Sequence, residues 1–550
     1  MSTRRLSVDD PRDSDLDIPL AMGDGRELAG SVASSMVGAS AVDATQNLPW
    51  PDGQEDIRLR FAPNGEIPFA AFFTRTVLYS WLFARRYGGR FMLRLDDTDL
   101  DRQIPGALES YAAGLRWLGL NWDEGPEVGG DFGPYRQSER LGLYRDAVSR
   151  LLDEGKAYHC FCDRLRLSEL AARARARDSA ARPYDGRCRD LTSSKRRAAS
   201  AAGIRPAVRL KVPDDGDINS VDMLRGPITV AARNLHDFVI CRPDGWPTYH
   251  LTVVVDDSSM RISHVLRGIE GLSNMAPQAV MHAALGLPTP LYLHFPLVRT
   301  PGYQIGDRFL PRGHDLYVDE LRDGGYDPRA VVNYYATLGY GYPGSEVRSL
   351  DELVVDFDYR RISRKEFVSQ ALDKLAWMNG RYLRRETPRV VVAKMCADQL
   401  MRSGLADSTA AETVMGRAVD IIRPRLAKAA DAPALLRFVF SPPNLPALTD
   451  GEYLEPRAAR DWLCRCAAAA TEGQPLSLAI ADYADGDRDL RVALTLSVVT
   501  VLGGPGVVFS ADELAAVLGR EETVRRLLAA IDLLQAGTAG GRAVMGCVDD

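Results

Sequence analysis

The stretch IRLRFA, from Ile57 to Ala62, alternates apolar and polar positions and predicts a short strand. The period then changes. FFTRTVLYSWLFARRYG carries apolar residues at three- and four-residue spacing until Gly88 and Gly89 stop it, which predicts a helix, and FMLRL predicts the next strand. Strand, helix, strand in close succession opens a parallel α/β sheet, whose ligands sit beyond the carboxyl ends of the strands, so a site is expected at the loop 62–71. A second α/β stretch runs from FVIC (Phe238 to Cys241) through HVLRG to LYLHFPLV. The segment between the two holds cysteines and the basic run LTSSKRRAAS and reads as an insertion into the sheet domain. From about Val318 the pattern turns helical, in PRAVVNYYATLGY and FVSQALDKLAWMNGRYL, and beyond Arg385 it stays mainly helical, ending in ADELAAVLG and EETVRRLLAAIDLL, with no internal repeat. Residues 1–55, rich in Asp, Ser, Gly and Ala, predict a disordered extension.

Composition narrows this picture. A chain of 550 residues exceeds one core and divides into roughly three to five domains. Its 46% hydrophobic and 26% charged residues are globular values, and no run reaches the roughly 20 apolar residues of a membrane span, so no membrane partner is expected. The start, MSTRRLSVDDPRDSDLDIPL, has no apolar core of a secretory signal, which predicts a cytoplasmic protein. Eight cysteines are too sparse for a disulfide framework, and the C-x-C pairs Cys160/Cys162 and Cys464/Cys466 make metal binding the first question. Cys464 and Cys466, in the helical run WLCRCAAAA, fall on different faces and read as free thiols. A net charge of -6 neither requires nor excludes a nucleic-acid partner, because local patches decide that.

Several long segments are similar to bacterial glutamyl-tRNA synthetases: RFAP, SWLFARRYGGRFMLRLDDTDLDR, GLRWLGLNWDEGP, GPYRQSERLGLY, LLDEGKAYHCFC, RPYDGRCR, PTYHL, HVLRG and LDKLAWMNGRYLRR. Their order and spacing resemble that class I family from about Ile57 into the C-terminal helices. The resemblance implies an α/β, Rossmann-like class I catalytic domain in two halves, 56–160 and 238–317, split by an acceptor-end-binding insertion with a zinc site at 161–237. It further implies a stem-contact helical domain at 318–385 and helical anticodon-binding-like domains at 386–550.

Two family signatures differ here. Where the resemblance implies a HIGH sequence, whose histidine meets the ATP phosphates and whose glycines admit the nucleotide, this chain has Ala70, Ala71, Phe72 and Phe73. The two rings either fill the nucleotide's space or pack as core residues of the following helix; on both readings the imidazole is absent. Where a lysine-bearing KMSKS-like loop is implied, the chain reads RTPGYQIGDRFLPRGHDLYV, with Arg308 and Arg312 as the available positive charges. Beside the nucleotide, Glu270 and Gly271 stand in Arg-Gly-Ile-Glu-Gly, without the family's tryptophan.

The glutamate-binding positions implied by the resemblance are Arg60, Asp96, Tyr249 and Arg267, with the arginines suited to carboxylates and Asp96 to an ammonium group. Val253 stands where the family has asparagine. Asp99, Asp256 and Asp257 are read as contacts to the tRNA acceptor end, the last two alternatively as helix-entry residues. Cys160, Cys162, Tyr184 and Cys188 match the zinc pattern of some family members, with His159 as a substitute for the tyrosine and buried free thiols as the alternative.

With both nucleotide signatures altered, ATP use is in doubt, and the sequence reading favours a repurposed protein. Such a protein binds tRNA(Glu) or glutamyl-tRNA and passes the activated glutamyl group to an acceptor, such as a pathway protein or peptide, in a side pathway of specialised metabolism. Two other expectations stand beside it: a divergent but active glutamate-tRNA ligase, and a non-catalytic tRNA-binding regulator.

Overall fold

The first strand, β1 (Arg58–Phe61), is buried at every position although two of its four residues are arginines. Such a strand is stable only if each guanidinium meets a carboxylate in the interior. Both do: Arg58 donates two hydrogen bonds to Glu124, at 2.7 and 2.9 Å, and Arg60 donates to Asp257 at 3.0 Å. The computed structural model in which these contacts occur describes residues 57–99, 101–177, 184–299, 314, 316–342, 344–441, 456–503 and 507–538. The extension read at 1–55 lies outside them.

Helix α1 (Phe73–Arg86) follows, with Val77, Leu78, Leu82 and Phe83 buried, and packs on β1 and on β2 (Arg90–Leu93). β2 runs parallel to β1, Arg60 opposite Met92. At Gly89 an added Cβ would lie 2.5 Å from the Ile57 carbonyl oxygen, so only glycine lets β2 enter so close to β1. Helices α2 (Ala107–Trp117) and α3 (Leu141–Asp153) lead to β3 (Ala157–Cys160), α4 (Arg164–Arg177), α5 (Ser193–Ala201) and β4 (Ala207–Leu210). Then come β5 (Asp217–Asp222), β6 (Gly226–Ala231), β7 (Val239–Cys241), α6 (Tyr249–Ser259), β8 (His264–Gly268), α7 (Met275–Leu285) and β9 (Leu291–Phe295).

Strands β3, β4 and β7 form an antiparallel sheet, while the order β6-β5-β9-β8 makes a second, mixed one. In the latter β8 and β9 are parallel, which sets Arg267 opposite His294. The start of β8 is tied to β1 by the Ser263 amide, which donates to the Arg58 carbonyl at 3.0 Å. Strand β5, from the segment read as inserted, joins this sheet through Asp222 opposite Tyr292.

The chain divides into two compact units, one containing the residues to Glu320 with Val331–Leu372, the other Leu321–Ala330 with the residues from Asp373 onward. The second is helical, and its interior is lined by Val392, Leu400, Ile422, Leu436, Trp462 and Leu527. Within it, Ser510 caps the helix Ala511–Leu518 in a reciprocal pair with Glu513. The expected α/β body followed by helices is therefore present, with one local difference. Phe367–Ser369, read from its sequence as helical, is a short strand pairing in parallel with Leu297–Arg299, and the helix begins only at Leu372. Two β-branched or aromatic residues beside an available strand edge outweigh a helical spacing of three residues. No described helix is long and apolar enough to cross a membrane.

Leu82 is fully buried where α1 meets the sheet. Leu82→Ala is expected to destabilise this unit by about 2–5 kcal/mol through lost burial and a residual cavity. Chemical denaturation measures it, and a loss below about 1 kcal/mol would show that α1 does not anchor the sheet.

Candidate functional site

Beneath the carboxyl ends of β1 and β2 lies a closed group of charges. Arg94, fully buried, donates to Asp96 at 2.7 Å and to Asp257 at 2.6 Å, and Asp257 also receives Arg60. Asp256 is equally enclosed, accepting from Gln137 at 2.8 Å, Arg140 at 2.7 Å and Tyr144 at 2.8 Å. The two aspartates were read as acceptor-end or helix-entry residues. Instead they sit in the last half of α6, buried and engaged by these donors, so they brace the sheet from beneath and face no nucleic acid. Asp99 differs, being half-exposed and ion-paired with Arg102 at 3.4 Å.

Position within the group separates the aspartates electrically. Burial works to raise Asp257, but Arg60 and Arg94 overcome it and hold the carboxyl at about 2. At Asp96 burial prevails over Arg94, with Asp256 adding repulsion, and the carboxyl is pushed up to about 6.

Arg267 lies near the carboxyl end of β8. Its Nε donates to His294 Nε2 at 2.8 Å and its Nη2 to Gln278 Oε1 at 3.2 Å, while Nη1 is buried with no hydrogen-bond partner among the described residues. Gln278 Nε2 is in the same condition. Tyr292 ties the surroundings together: burial pushes its phenol up to about 12, and the charges of Arg267, Asp257 and Arg60, with Tyr249, all act on it. Tyr249, the first residue of α6, is 45% exposed. Arg60, Arg267 and Tyr249 are thus all within electrostatic reach of Tyr292, and Asp257 links Arg60 through Arg94 to Asp96. Gly271 belongs here too, because a Cβ on it would come within 2.4 Å of Arg267 Nε; Glu270, beside it, is exposed. Two orphaned donors buried side by side suit an anionic oxygen ligand such as a carboxylate.

His294, Asp222 and Gln278 were not among the residues singled out from sequence. Their signal was indirect: HVLRG and LYLHF are adjacent parallel strands, but only the register shows that the arginine and the histidine are opposite each other.

Ala70 and Ala71 are fully buried, and the segment is pinned where the Ala71 amide donates to the Leu316 carbonyl at 2.7 Å. Phe72 and Phe73, with ring centroids 4.5 Å apart, pack with Ile67, Leu316, Tyr317 and Leu372 and stay partly exposed at the start of α1. Their contacts are those of the core-packing alternative. Arg308 and Arg312 lie outside the described residues.

In the insertion, the thiols of Cys160, Cys162 and Cys188 lie within 4.8 Å of one another. Cys162 and Cys188 sulfurs are 3.6 Å apart, and Cys160 Sγ is 3.5 Å from the Tyr184 hydroxyl. A tetrahedral zinc with Zn–S of about 2.3 Å and Zn–O of about 2.0 Å requires separations of roughly 3.8 and 3.5 Å, so the cluster is consistent with a structural zinc site. Hydrogen bonds from Cys162 and Cys188 draw the Cys160 thiol well down, and the Arg209 guanidinium, donating to it at 3.4 Å, acts the same way. His159, the considered substitute, occupies the opposite face of β3 by strand alternation.

Known proteins resemble this chain over much of its length. The family described as tRNA synthetases class I (E and Q), catalytic domain, matches residues 56–377. A glutamate–tRNA ligase of Desulforudis audaxviator is 40% identical over 388 residues, 69% of this chain and 76% of that protein. One from Natranaerobius thermophilus is 33% identical over 495 residues, 87% of this chain and 99% of that protein. Among solved structures, a glutamate tRNA ligase from Elizabethkingia meningosepticum in complex with its amino acid covers 88% of this chain and all of its own, with a TM-score of 0.74 and 27% identity. These relatives overturn the expectation of a repurposed protein that passes a glutamyl group to a side-pathway acceptor, and they leave the doubt about ATP without support. Similarity to named ligases runs through the catalytic body and, in the Natranaerobius thermophilus protein, nearly the whole of the relative, and nothing in it marks a lost or redirected activity. The sequence reading gave too much weight to the two altered nucleotide signatures and too little to the rest of the chain.

The perturbed carboxyl of Asp96 has a measurable consequence. Its folded value of about 6 exceeds the ordinary 3.8, so the folded state holds this proton more tightly than the unfolded chain does. Its contribution to stability is therefore full below pH of about 4 and lost as pH rises through about 6. Asp96→Asn should remove that part of the pH dependence in denaturation at pH 4, 5 and 6, and an unchanged profile would refute the assignment.

Proposed function

Because the chain belongs to the class I tRNA synthetases of the glutamate and glutamine family, we propose that it is an ATP-dependent glutamate–tRNA ligase, acting in the cytoplasm on tRNA(Glu). The observation that supports this reading most is the buried Nη1 of Arg267, without a partner among the described residues and near the carboxyl end of a parallel strand, a cationic donor suited to a carboxylate. In the proposed reaction a glutamate carboxylate oxygen attacks the α-phosphorus of ATP and pyrophosphate leaves. The ribose hydroxyl at the tRNA end then attacks the resulting acyl carbon, and AMP leaves.

In this reading Arg267 and Arg60 orient the amino acid's carboxylates, while Asp96 and Tyr249 hold its ammonium end. The Arg60 guanidinium does so from its pairing with Asp257, which keeps it fixed. The nucleotide signatures are divergent in this proposal. With Ala70, Ala71, Phe72 and Phe73 at the positions of the first, charge building on the phosphates is assigned to other donors, Arg308 or Arg312 among them. Asp99, half-exposed, remains a proposed contact to the acceptor end.

Zinc is proposed as the resident metal of the insertion, held by Cys160, Cys162, Cys188 and the Tyr184 oxygen. It would close the loop 184–188 onto β3 and take no part in the reaction.

Incubation with ATP, glutamate and tRNA(Glu) is expected to yield glutamyl-tRNA and pyrophosphate, and Arg267→Ala to lower kcat/KM for glutamate on the order of a hundredfold. Failure of the intact protein to charge tRNA or to exchange pyrophosphate would sink the ligase reading. For the metal, elemental analysis should find about one zinc per chain, falling in Cys162→Ser, with chelation lowering the melting temperature. Less than about half an equivalent in the intact protein would refute the site.

A further inference from the structure

His294, fully buried on β9, is bonded on both ring nitrogens. Its Nδ1 is 2.8 Å from Asp222 Oδ2, and its Nε2 is 2.8 Å from Arg267 Nε. Arg267 is always a donor, so the bond it makes requires a lone pair on Nε2. The ring proton must then sit on Nδ1, where Asp222 accepts it. Burial agrees, holding His294 down at about 4 and keeping the ring neutral. Asp222 is fixed in turn. Its Oδ1 accepts from the amides of Leu224 at 2.9 Å and Arg225 at 2.7 Å, and its Oδ2 from the His294 amide at 2.9 Å.

The chain Asp222, His294, Arg267 therefore has one polarity along its length. Asp222 sets the tautomer, the tautomer sets the acceptor, and the acceptor holds the guanidinium by Nε. Gln278 takes Nη2 on the other side, so Nη1 is the corner left over, and it is buried without a partner among the described residues. A guanidinium has five donors in one plane, so fixing Nε and Nη2 fixes the direction of Nη1.

We propose that Asp222 and His294 are a positioning pair for Arg267, aiming its Nη1 at a carboxylate of the amino-acid substrate and so setting affinity for that substrate without touching it. The inference deepens the ligase reading and rests on it for the identity of the substrate as glutamate.

Substitutions at His294 separate aiming from mere packing. Glutamine carries a polar atom at the place of Nε2 and can still accept from Arg267. Asparagine reaches only the place of Nδ1, keeping a partner for Asp222 but leaving Arg267 Nε unmet. Leucine removes both. Glutamate binding is measured by calorimetry with and without tRNA, alongside tRNA charging, KM for ATP and melting temperature.

His294→Gln is expected to bind glutamate within about threefold of the unsubstituted protein, while His294→Asn and His294→Leu weaken it at least ~10-fold with KM for ATP within about twofold. A purely structural histidine would rank the variants by melting temperature instead. Asp222→Asn, which can donate to Nδ1 and turn the tautomer, is expected to weaken glutamate as His294→Asn does. Equal glutamate affinity in the Gln and Asn variants, loss of ATP and glutamate affinity together, or no glutamate binding by the unsubstituted protein overturns the pair. The expected order of affinities without any tRNA charging would sustain the pair and refute the ligase reading; normal charging with equal affinities would do the reverse.

Discussion

The pairing of buried charge at the strand ends is the constraint on which the catalytic body depends. Arg58, Arg60 and Arg94 lie on or just after β1 and β2, inside a sheet where an unpaired guanidinium would cost several kcal/mol. Their partners come from far along the chain, Glu124 for Arg58 and Asp257 for both Arg60 and Arg94. These bonds bring α6 against β1 and β2, and with it the Asp256 cluster beneath. Removing one partner would leave a charge stranded in the interior.

Much of this was legible in the sequence. The change from alternation in IRLRFA to helical spacing in FFTRTVLYSWLFARRYG located β1 and α1, because strands and helices repeat their side-chain directions with different periods. The three cysteines and Tyr184 were legible as a set, and the structure brings them together. The roles of Asp256 and Asp257 were not. An aspartate pair looks the same in sequence whether it faces solvent or an arginine two hundred residues away. His294 was invisible for a related reason, since strand register is set by pairing in three dimensions.

The misjudged activity has a physical source as well. A signature names the usual donors for a developing charge, yet the charge itself demands only suitably placed positive groups. Ala70 to Phe73 name the residues at one place in the chain and are silent about positive groups supplied from elsewhere. Relatives spanning most of the chain carry information that two short signatures do not.

The single bridge of β5 onto β9, Asp222 opposite Tyr292, gives the insertion a second meaning. The segment that carries the cysteine cluster returns to the main sheet through β5, and the last residue of that strand grips His294. The insertion is thus not a detachable module. Excising or exchanging it would cut the strand whose end holds His294 against Arg267, so a chimera made at its boundaries would disturb the main sheet as well as the appended surface.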